Sequence, residues 1–571
     1  MIATRVGESI PKNTEHAVSV CLPKWADVVG YEEGDERVIG SLTTGYPRFF
    51  IHKSVRRLCD LIAEQYAMKD EICLCFPSYL VAKRCREYIM VKSANVESKC
   101  KKIRILQLAT PRESTEAETN TPECKIAAVF FPQELFPLAK QYWQHSGEIL
   151  SSRLAEYVVE RLFPQVAQED DEATKVNKNF IETRYGRNLD FAFAGRAKDI
   201  LRNRIAHKVV ETDDKDVATN VFLYPSGMAS IFTAHRLLLN YDHVRVKRLK
   251  TIGDVPEPIG YGEPYLKTVM FGFPYTDTLS ILKKFNHTYF LGMGDSSAME
   301  ELIKILTSGE QILGVFMEAP SNPLLKMGDI VRLKELSEKY GFFIVIDETV
   351  SGFVNIDVLP YCDIVCSSLT KIFSGDSNVI AGSMVVNPTS RIHDFAVSFL
   401  NDRNKNEDLL WYEDAIYLER NSRDFVERAK KINSITEDLL SKILLKEESS
   451  EGLFEKVYFP NITSEETKSN YDRVKLKDGG YGGLISLVFK EEMSARAFYD
   501  NLDLNKGPSL GTNFTLVCPY TILAHYAEMD DVAQYGVVKN LVRISVGLET
   551  FEELQRIFDK ALTAARSASK N

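Results

Sequence analysis

The chain has 571 residues, 44% of them hydrophobic and 26% charged, with a formal net charge of −10. That length predicts two or three domains with large cores, in proportions ordinary for a soluble globular protein. The negative charge disfavours nucleic acid as a partner, no window holds the roughly twenty apolar residues of a membrane helix, and residues 1–13 lack the apolar core of a secretory signal.

Residues 1–170 form a first region, in which short strands (17–22, 103–108, 126–131) alternate with helices such as 55–66. Seven of the ten cysteines precede residue 125, and Cys73 and Cys75 sit in the apolar run 72–76. No second cysteine pair with matching histidines follows, so zinc is not expected, and the thiols read as reduced and buried. The acidic run 168–172 reads as a solvated linker.

Residues 177–400 alternate strand, turn and helix, which predicts a mostly parallel sheet. Residues 220–230 are a strand breaking at Ser226-Gly227-Met228 into a helix over 231–239. Backbone N–H groups at such a helix start hold a phosphate, and Gly227 lets the chain approach it closely. The strand over 311–318 ends in the rigid loop Pro320-Ser321-Asn322-Pro323, which offers one amide. The apolar run 341–346 lacks alternation, as in a buried parallel strand, and stops at Asp347. Ligands collect at such carboxyl ends; an Asp that only caps the next segment is the other reading. The run from Cys366 to Gly375 then places Lys371 after two hydroxyls. An aldehyde cofactor needs one amine for a Schiff base and neutral donors for its phosphate, which is how a pyridoxal phosphate site is built; Lys371 is the amine, Ser368 and Thr370 the donors.

Residues 402–571 open with a long amphipathic run to 444 and continue with strands (484–489, 541–546) and polar loops at 446–451 and 464–475. His235 and His525 read as packed or surface histidines, because Lys371 already supplies a proton carrier.

In this order, Tyr185-Gly186-Arg187-Asn188, Tyr224 to Met228, Glu318 to Pro323, Asp347, Ser368 to Lys371, Ser509-Leu510-Gly511 and Val542 to Glu549 resemble the pyridoxal-phosphate enzymes of cysteine and methionine metabolism. The likeness is strongest to fungal cystathionine gamma-synthases with a long amino-terminal extension. The resemblance implies an α/β chain of fold type I (aspartate aminotransferase-like), with a mostly parallel central sheet, a smaller α+β C-terminal domain and an extra N-terminal α/β region of unknown role. It implies pyridoxal 5'-phosphate carried by Lys371, with Asp347 at the pyridine nitrogen, Asn322 beside the ring oxygen, and Gly227, Met228, Ser368 and Thr370 around the phosphate. Tyr185 and Arg187 from a neighbouring subunit would complete that cup, making the protein a dimer or tetramer. Arg543, with Ser509 beside it, would clamp a substrate α-carboxylate.

The family commonly carries Tyr-Gly-Gly-Thr where this chain reads Tyr275-Thr276-Asp277-Thr278. Tyr275 takes the ring-stacking place, with a hydroxyl able to move a proton. Thr276 and Asp277 restrict the backbone and add a charge near an anionic cofactor, which puts the substrate pocket in doubt. The implied reaction joins an O-acyl-homoserine with cysteine to give cystathionine, a cytoplasmic step of transsulfuration and methionine biosynthesis. A cystathionine lyase, an O-acetylhomoserine sulfhydrylase and a catalytically silent dimeric scaffold are the alternatives.

The first region repeats the order of the second in outline. Gly45-Tyr46-Pro47-Arg48, a helix and Phe76-Pro77-Ser78 before a helix parallel Tyr185-Gly186-Arg187, a helix and Tyr224-Pro225-Ser226; the simpler reading is that strand and helix units look alike. Tyr79 and Leu80 stand where the second copy has Gly227 and Met228, so no second cofactor is expected. If Tyr46 and Arg48 serve the phosphate instead of Tyr185 and Arg187, Arg187→Ala keeps cofactor affinity.

Overall fold

The computed structural model describes residues 2–93, 103–110, 124–165, 192–209, 215–249 and 265–569. Tyr185, Arg187 and the acidic run 168–172 lie outside the described residues. Fifteen strands are present among those described: β1 Glu71–Phe76, β2 Arg104–Ala109, β3 Lys125–Pro132, β4 Val221–Tyr224, β5 Lys267–Phe271, β6 Thr288–Leu291, β7 Ile312–Glu318, β8 Phe343–Asp347, β9 Ile364–Ser368, β10 Gly382–Val386, β11 Phe454–Tyr458, β12 Leu484–Phe489, β13 Asn505–Lys506, β14 Leu516–Pro519 and β15 Leu541–Ser545.

The apolar strands of the middle region form a seven-stranded sheet of order β4-β10-β9-β8-β7-β5-β6. Its pairs from β9 to β6 are parallel, and β10 runs antiparallel to both neighbours. All seven residues of β7 are buried, as expected of a strand covered on both faces. The register sets Glu318 opposite Asp347 at the carboxyl ends of β7 and β8. Two carboxylates and, one strand over, Ser368 therefore share one edge of the sheet.

A five-stranded sheet of order β11-β12-β15-β14-β13 follows. Arg543 lies at its centre, between Ser486 of β12 and Cys518 of β14. The first region holds a three-stranded antiparallel sheet of order β1-β3-β2. Its apolar face does not close on itself. Phe76 meets Tyr142, Tyr142 meets Phe232 on helix Gly227–Leu249, and Phe232 meets Phe285, at ring separations of 6.1, 6.1 and 5.0 Å. One continuous core thus joins the first region to the large sheet.

Two local expectations are corrected. Residues 17–22 are extended but not a strand of a sheet: Val20 makes an isolated bridge to Ser9, while Val18 and Leu22 donate to the carbonyls of Ser377 and Lys506. These partners are scattered, Ser377 outside any strand and Lys506 in β13, so no ladder with a single strand forms. The polar stretch 464–475 contains helix Glu465–Asp472, started by the Ser464 hydroxyl accepting from the Thr467 N–H at 3.1 Å, so a cap overrides weak periodicity. Among the described residues no helix is long and apolar enough to cross a membrane.

Candidate active site

A cavity opens at the carboxyl edge of the large sheet, lined among others by Gly227, Met228, Tyr275, Asn322, Asp347, Ser368, Lys371, Ser509 and Arg543. Chain segments hundreds of residues apart converge on it.

The turn after β4 is built by capping. Ser226 Oγ accepts from the Ala229 N–H at 3.1 Å and donates to the Gly147 carbonyl at 2.7 Å. A Cβ on Gly227 would stand 2.7 Å from the Ser368 Cβ, so only glycine lets this turn lie against the end of β9. The N-terminal end of helix Gly227–Leu249 consequently lines the cavity through Gly227, Met228 and Ile231.

Lys371 is buried, and its Nζ donates to the Ser509 hydroxyl at 2.9 Å and to the Tyr46 hydroxyl at 3.2 Å. Burial lowers its pKa, Tyr46 opposes that, and the Arg543 and Arg48 charges add to the lowering. The Tyr46 hydroxyl is pushed up by burial, but the Lys371 and Arg48 charges outweigh this and hold it below its ordinary value. Asp347 uses one oxygen as a turn cap, accepting from the Thr349 N–H at 2.9 Å and hydroxyl at 2.6 Å, and it also lines the cavity. Thr349 in turn accepts from the Ser368 N–H at 2.8 Å, so one threonine fixes both residues. Burial holds Asp347 above the usual carboxylate range.

Glu318 accepts from the N–H groups of Tyr275 and Asn322 at 2.6 and 3.0 Å. Burial, then the neighbouring Asp347 charge, raise its pKa from 4.5 to about 8. Between these values the unfolded chain releases the proton that the folded chain keeps, so stability falls as pH rises across that window. Glu318→Gln is expected to flatten this fall in the cofactor-free protein by up to about 1.4 kcal/mol per pH unit. Urea unfolding at pH 5 and pH 7.5 measures it; an unchanged slope would refute the assignment.

Arg543 donates to Asn322 Oδ1 at 3.0 Å and to the Ser509 carbonyl at 2.7 Å, with its guanidinium 4.7 Å from the Tyr520 ring. Among the described residues no carboxylate pairs with it. Ser509 has a φ of +91°, a conformation that side chains rarely take, and its carbonyl is thereby held by Arg543.

Tyr275 lines the cavity, with its hydroxyl accepting from Arg48 Nη2. Burial keeps this phenol well above its ordinary pKa, hence protonated, although Arg48 opposes. Asp277 is fully buried and ion-paired with Arg48, while Gln144 Nε2 lies 3.3 Å and His145 Nε2 3.6 Å from its other oxygen. The charge that the sequence placed near an anionic cofactor is therefore matched by a cation.

Thr370 is held apart from the cavity lining. Its hydroxyl donates to the Ala381 carbonyl at 3.2 Å and accepts from the Ala381 N–H at 3.1 Å, and it does not line the cavity; it ties β9 to the segment entering β10. His235 also stands apart, edge-on to Phe316 at 5.7 Å with its pKa lowered by burial to about 3. His525 Nδ1 bonds Glu528 at 2.7 Å. The sulfurs of Cys59, Cys73 and Cys75 lie within 4.8 Å of one another in the core of the first region. Tyr520 lines the cavity and was not singled out from the sequence, where it ends an apolar run. Its hydroxyl is buried and has no hydrogen-bond partner among the described residues, a state that points to a ligand group.

An amine between two hydroxyls, a glycine turn against a helix start and a buried acid at a strand end define a pyridoxal-phosphate enzyme of fold type I. The fold is that of cystathionine gamma-synthase from Xanthomonas oryzae pv. oryzae, solved in complex with cystathionine. The TM-score is 0.52 at 22% identity, covering 67% of this chain and 89% of that one. Residues 266–563 match the family described as Cys/Met metabolism PLP-dependent enzyme, and residues 54–151 match the fungal trans-sulfuration enzyme N-terminal domain. A cystathionine gamma-synthase of Saccharomyces cerevisiae is 54% identical, covering 99% of this chain and 100% of that protein. One of Neurospora crassa is 39% identical over 99% of each chain. The chain belongs to the Cys/Met metabolism family of pyridoxal-phosphate-dependent enzymes.

Proposed function

We propose that this chain is a cystathionine gamma-synthase. It joins the γ-carbon of an O-acyl-homoserine to the sulfur of cysteine: the Cγ–O bond breaks, the C–S bond forms, and the acyl group leaves as its acid. The full-length similarity to the yeast synthase carries this reading, and the residues lining the cavity agree with it.

The residues fit the cofactor. Lys371 would anchor it, Asp347 would face its ring nitrogen, Asn322 its ring oxygen, and Gly227, Met228 and Ser368 its phosphate. Bound there, pyridoxal phosphate supplies a sink for the electrons of the substrate's Cα–H bond. Arg543, free of an acid partner among the described residues, binds the α-carboxylate through its fork and orients that bond for proton loss. Lys371 Nζ takes the proton from the α-carbon, since a lowered pKa leaves more of the amine free to accept one. Tyr46 and Ser509 hold that amine by their hydroxyls. Tyr275, protonated, has a proton to give to a leaving group.

Incubation of purified protein with O-acetylhomoserine and cysteine tests the proposal. Cystathionine is the expected product. Ammonia and a keto acid from cystathionine would identify a lyase instead, and homocysteine from sulfide a sulfhydrylase. A cytoplasmic homo-oligomer is part of the same proposal; light scattering on the purified protein checks the association.

Tyr520→Phe removes a hydroxyl that has no partner among the described residues. Loss of one neutral hydrogen bond to substrate is expected to lower kcat/KM by about 2- to 10-fold. The melting temperature of the substrate-free protein should stay level or rise, because an unsatisfied buried group disappears with it. A fall in both would make Tyr520 a packing residue.

A further inference from the structure

We propose that Tyr46 and Arg48 complete the cofactor site from within the same chain, so that one chain holds a whole site and needs no residue of a second copy. This rests on the reading of the cavity as a pyridoxal phosphate site. The family resemblance puts a Tyr-x-Arg pair from a neighbouring subunit there, through Tyr185 and Arg187. In the structure another Tyr-x-Arg pair lines the cavity.

The placement is fixed from both sides. Tyr46 Oη accepts from Lys371 Nζ, whose distance to the Tyr46 ring centre is 4.4 Å. The Arg48 guanidinium lies 5.0 Å from the Tyr275 ring centre and pairs with Asp277, both side chains being 2% exposed. On the entry side, residues 17–22 are laid along the segment that leads into the site: Ser19 Oγ donates to the Pro508 carbonyl at 2.6 Å and Leu22 N to Lys506 O at 2.8 Å. Thr44 Oγ1 donates to the Ala17 carbonyl at 2.6 Å, which ties the Tyr46 loop to that segment. On the exit side, a Cβ on Gly147 would meet Ser226 Oγ at 2.3 Å, so the first region touches the phosphate turn itself. Arg153 pairs with Asp414 at 2.9 Å, each 3% exposed.

Asp277 supplies the decisive chemistry. It lies in helix Thr276–Phe285 between β5 and β6 of the large sheet, yet its hydrogen-bonding and ion-pairing partners among the described residues, Arg48, Gln144 and His145, all come from the first region. A buried carboxylate needs such partners in place. An acid beside the large sheet matched by a buried cation of the first region fits two surfaces that stay together. The first region thereby acquires a role, standing where a partner subunit would stand.

Subunit complementation tests this with full-length protein. Lys371→Ala is co-expressed, under a second affinity tag, with a variant carrying Tyr46→Phe, Arg48→Met and Asp277→Asn, the last change sparing the fold an unpaired buried acid. Homomeric triple variant is expected to bind pyridoxal phosphate about 10- to 100-fold more weakly than wild type, read by titrating its visible absorbance. Mixed oligomers should bind as weakly, because every chain with Lys371 has a damaged cup of its own. Recovery of wild-type affinity in half the sites would overturn the proposal, as would wild-type affinity in the homomeric triple variant. Should the triple variant fail to fold, Tyr46→Phe alone takes its place, read by the same titration. If no mixed species forms because the chain is monomeric, a monomer that turns yellow with cofactor supports it. Failure of wild type to bind cofactor at all would instead reject the cavity's assignment.

Discussion

Lys371→Ala is expected to lower the rate of cystathionine formation by a factor of 10³ or more and to leave borohydride with nothing to fix covalently. A positioned proton carrier alone contributes about 10²- to 10⁴-fold, and this variant loses the covalent anchor as well. The structure adds a second expectation of opposite sign. Lys371 has its pKa lowered, first by burial, with Arg543 and Arg48 adding and Tyr46 opposing. A depressed amine means that the unfolded chain holds its proton at pH values where the folded chain releases it, so the lysine makes stability rise with pH. Lys371→Met keeps the volume and removes the charge, and should therefore raise the urea midpoint of the cofactor-free protein, most at low pH. An active-site group that costs stability is expected where function sets the residue. A less stable Lys371→Met protein would mean that the hydroxyls of Tyr46 and Ser509 compensate the buried amine fully.

Much of this site was legible from local sequence, for physical reasons. Asp347 ends an apolar run without alternation, and such a run has one fate in an α/β protein, a strand covered on both faces whose carboxyl end opens to ligand. Ser226-Gly227 is legible because a cap and a glycine together specify a strand-to-helix turn. Lys371 is legible from its hydroxyl neighbours, of which Ser368 lines the cavity and Thr370, two residues past β9, bonds the Ala381 backbone. What local sequence hides is pairing across the chain. Tyr46 meets Lys371 over a separation of 325 residues, and no periodicity encodes that meeting. Asp277 read as a charge out of place because its cation is 229 residues upstream. Tyr520 was invisible for a third reason: an aromatic ending an apolar run reads as core, and only the missing partner of its hydroxyl marks it.

Arg48→Ala is expected to cost about 3–5 kcal/mol of folding stability, because it strands Asp277 in a buried site with its ion-pair partner gone. Both side chains are 2% exposed, so solvent cannot take over. Asp277→Asn alone leaves the Arg48 charge with the Tyr275 hydroxyl and the Gln144 carbonyl still accepting from it, and should cost less. Together, Arg48→Met with Asp277→Asn should recover most of the loss, since replacing both partners of a buried pair is often near neutral. Urea unfolding of wild type, Arg48→Met, Asp277→Asn and the double variant closes a double-mutant cycle, in which a coupling of at least about 2 kcal/mol is the expected result. Cofactor affinity must behave differently: the double variant regains its fold without regaining the cation beside Tyr275, so it should bind pyridoxal phosphate as weakly as Arg48→Ala. If affinity returned along with stability, Arg48 would be a counter-ion for Asp277 and nothing more, and the cup would have to be completed by some other residue.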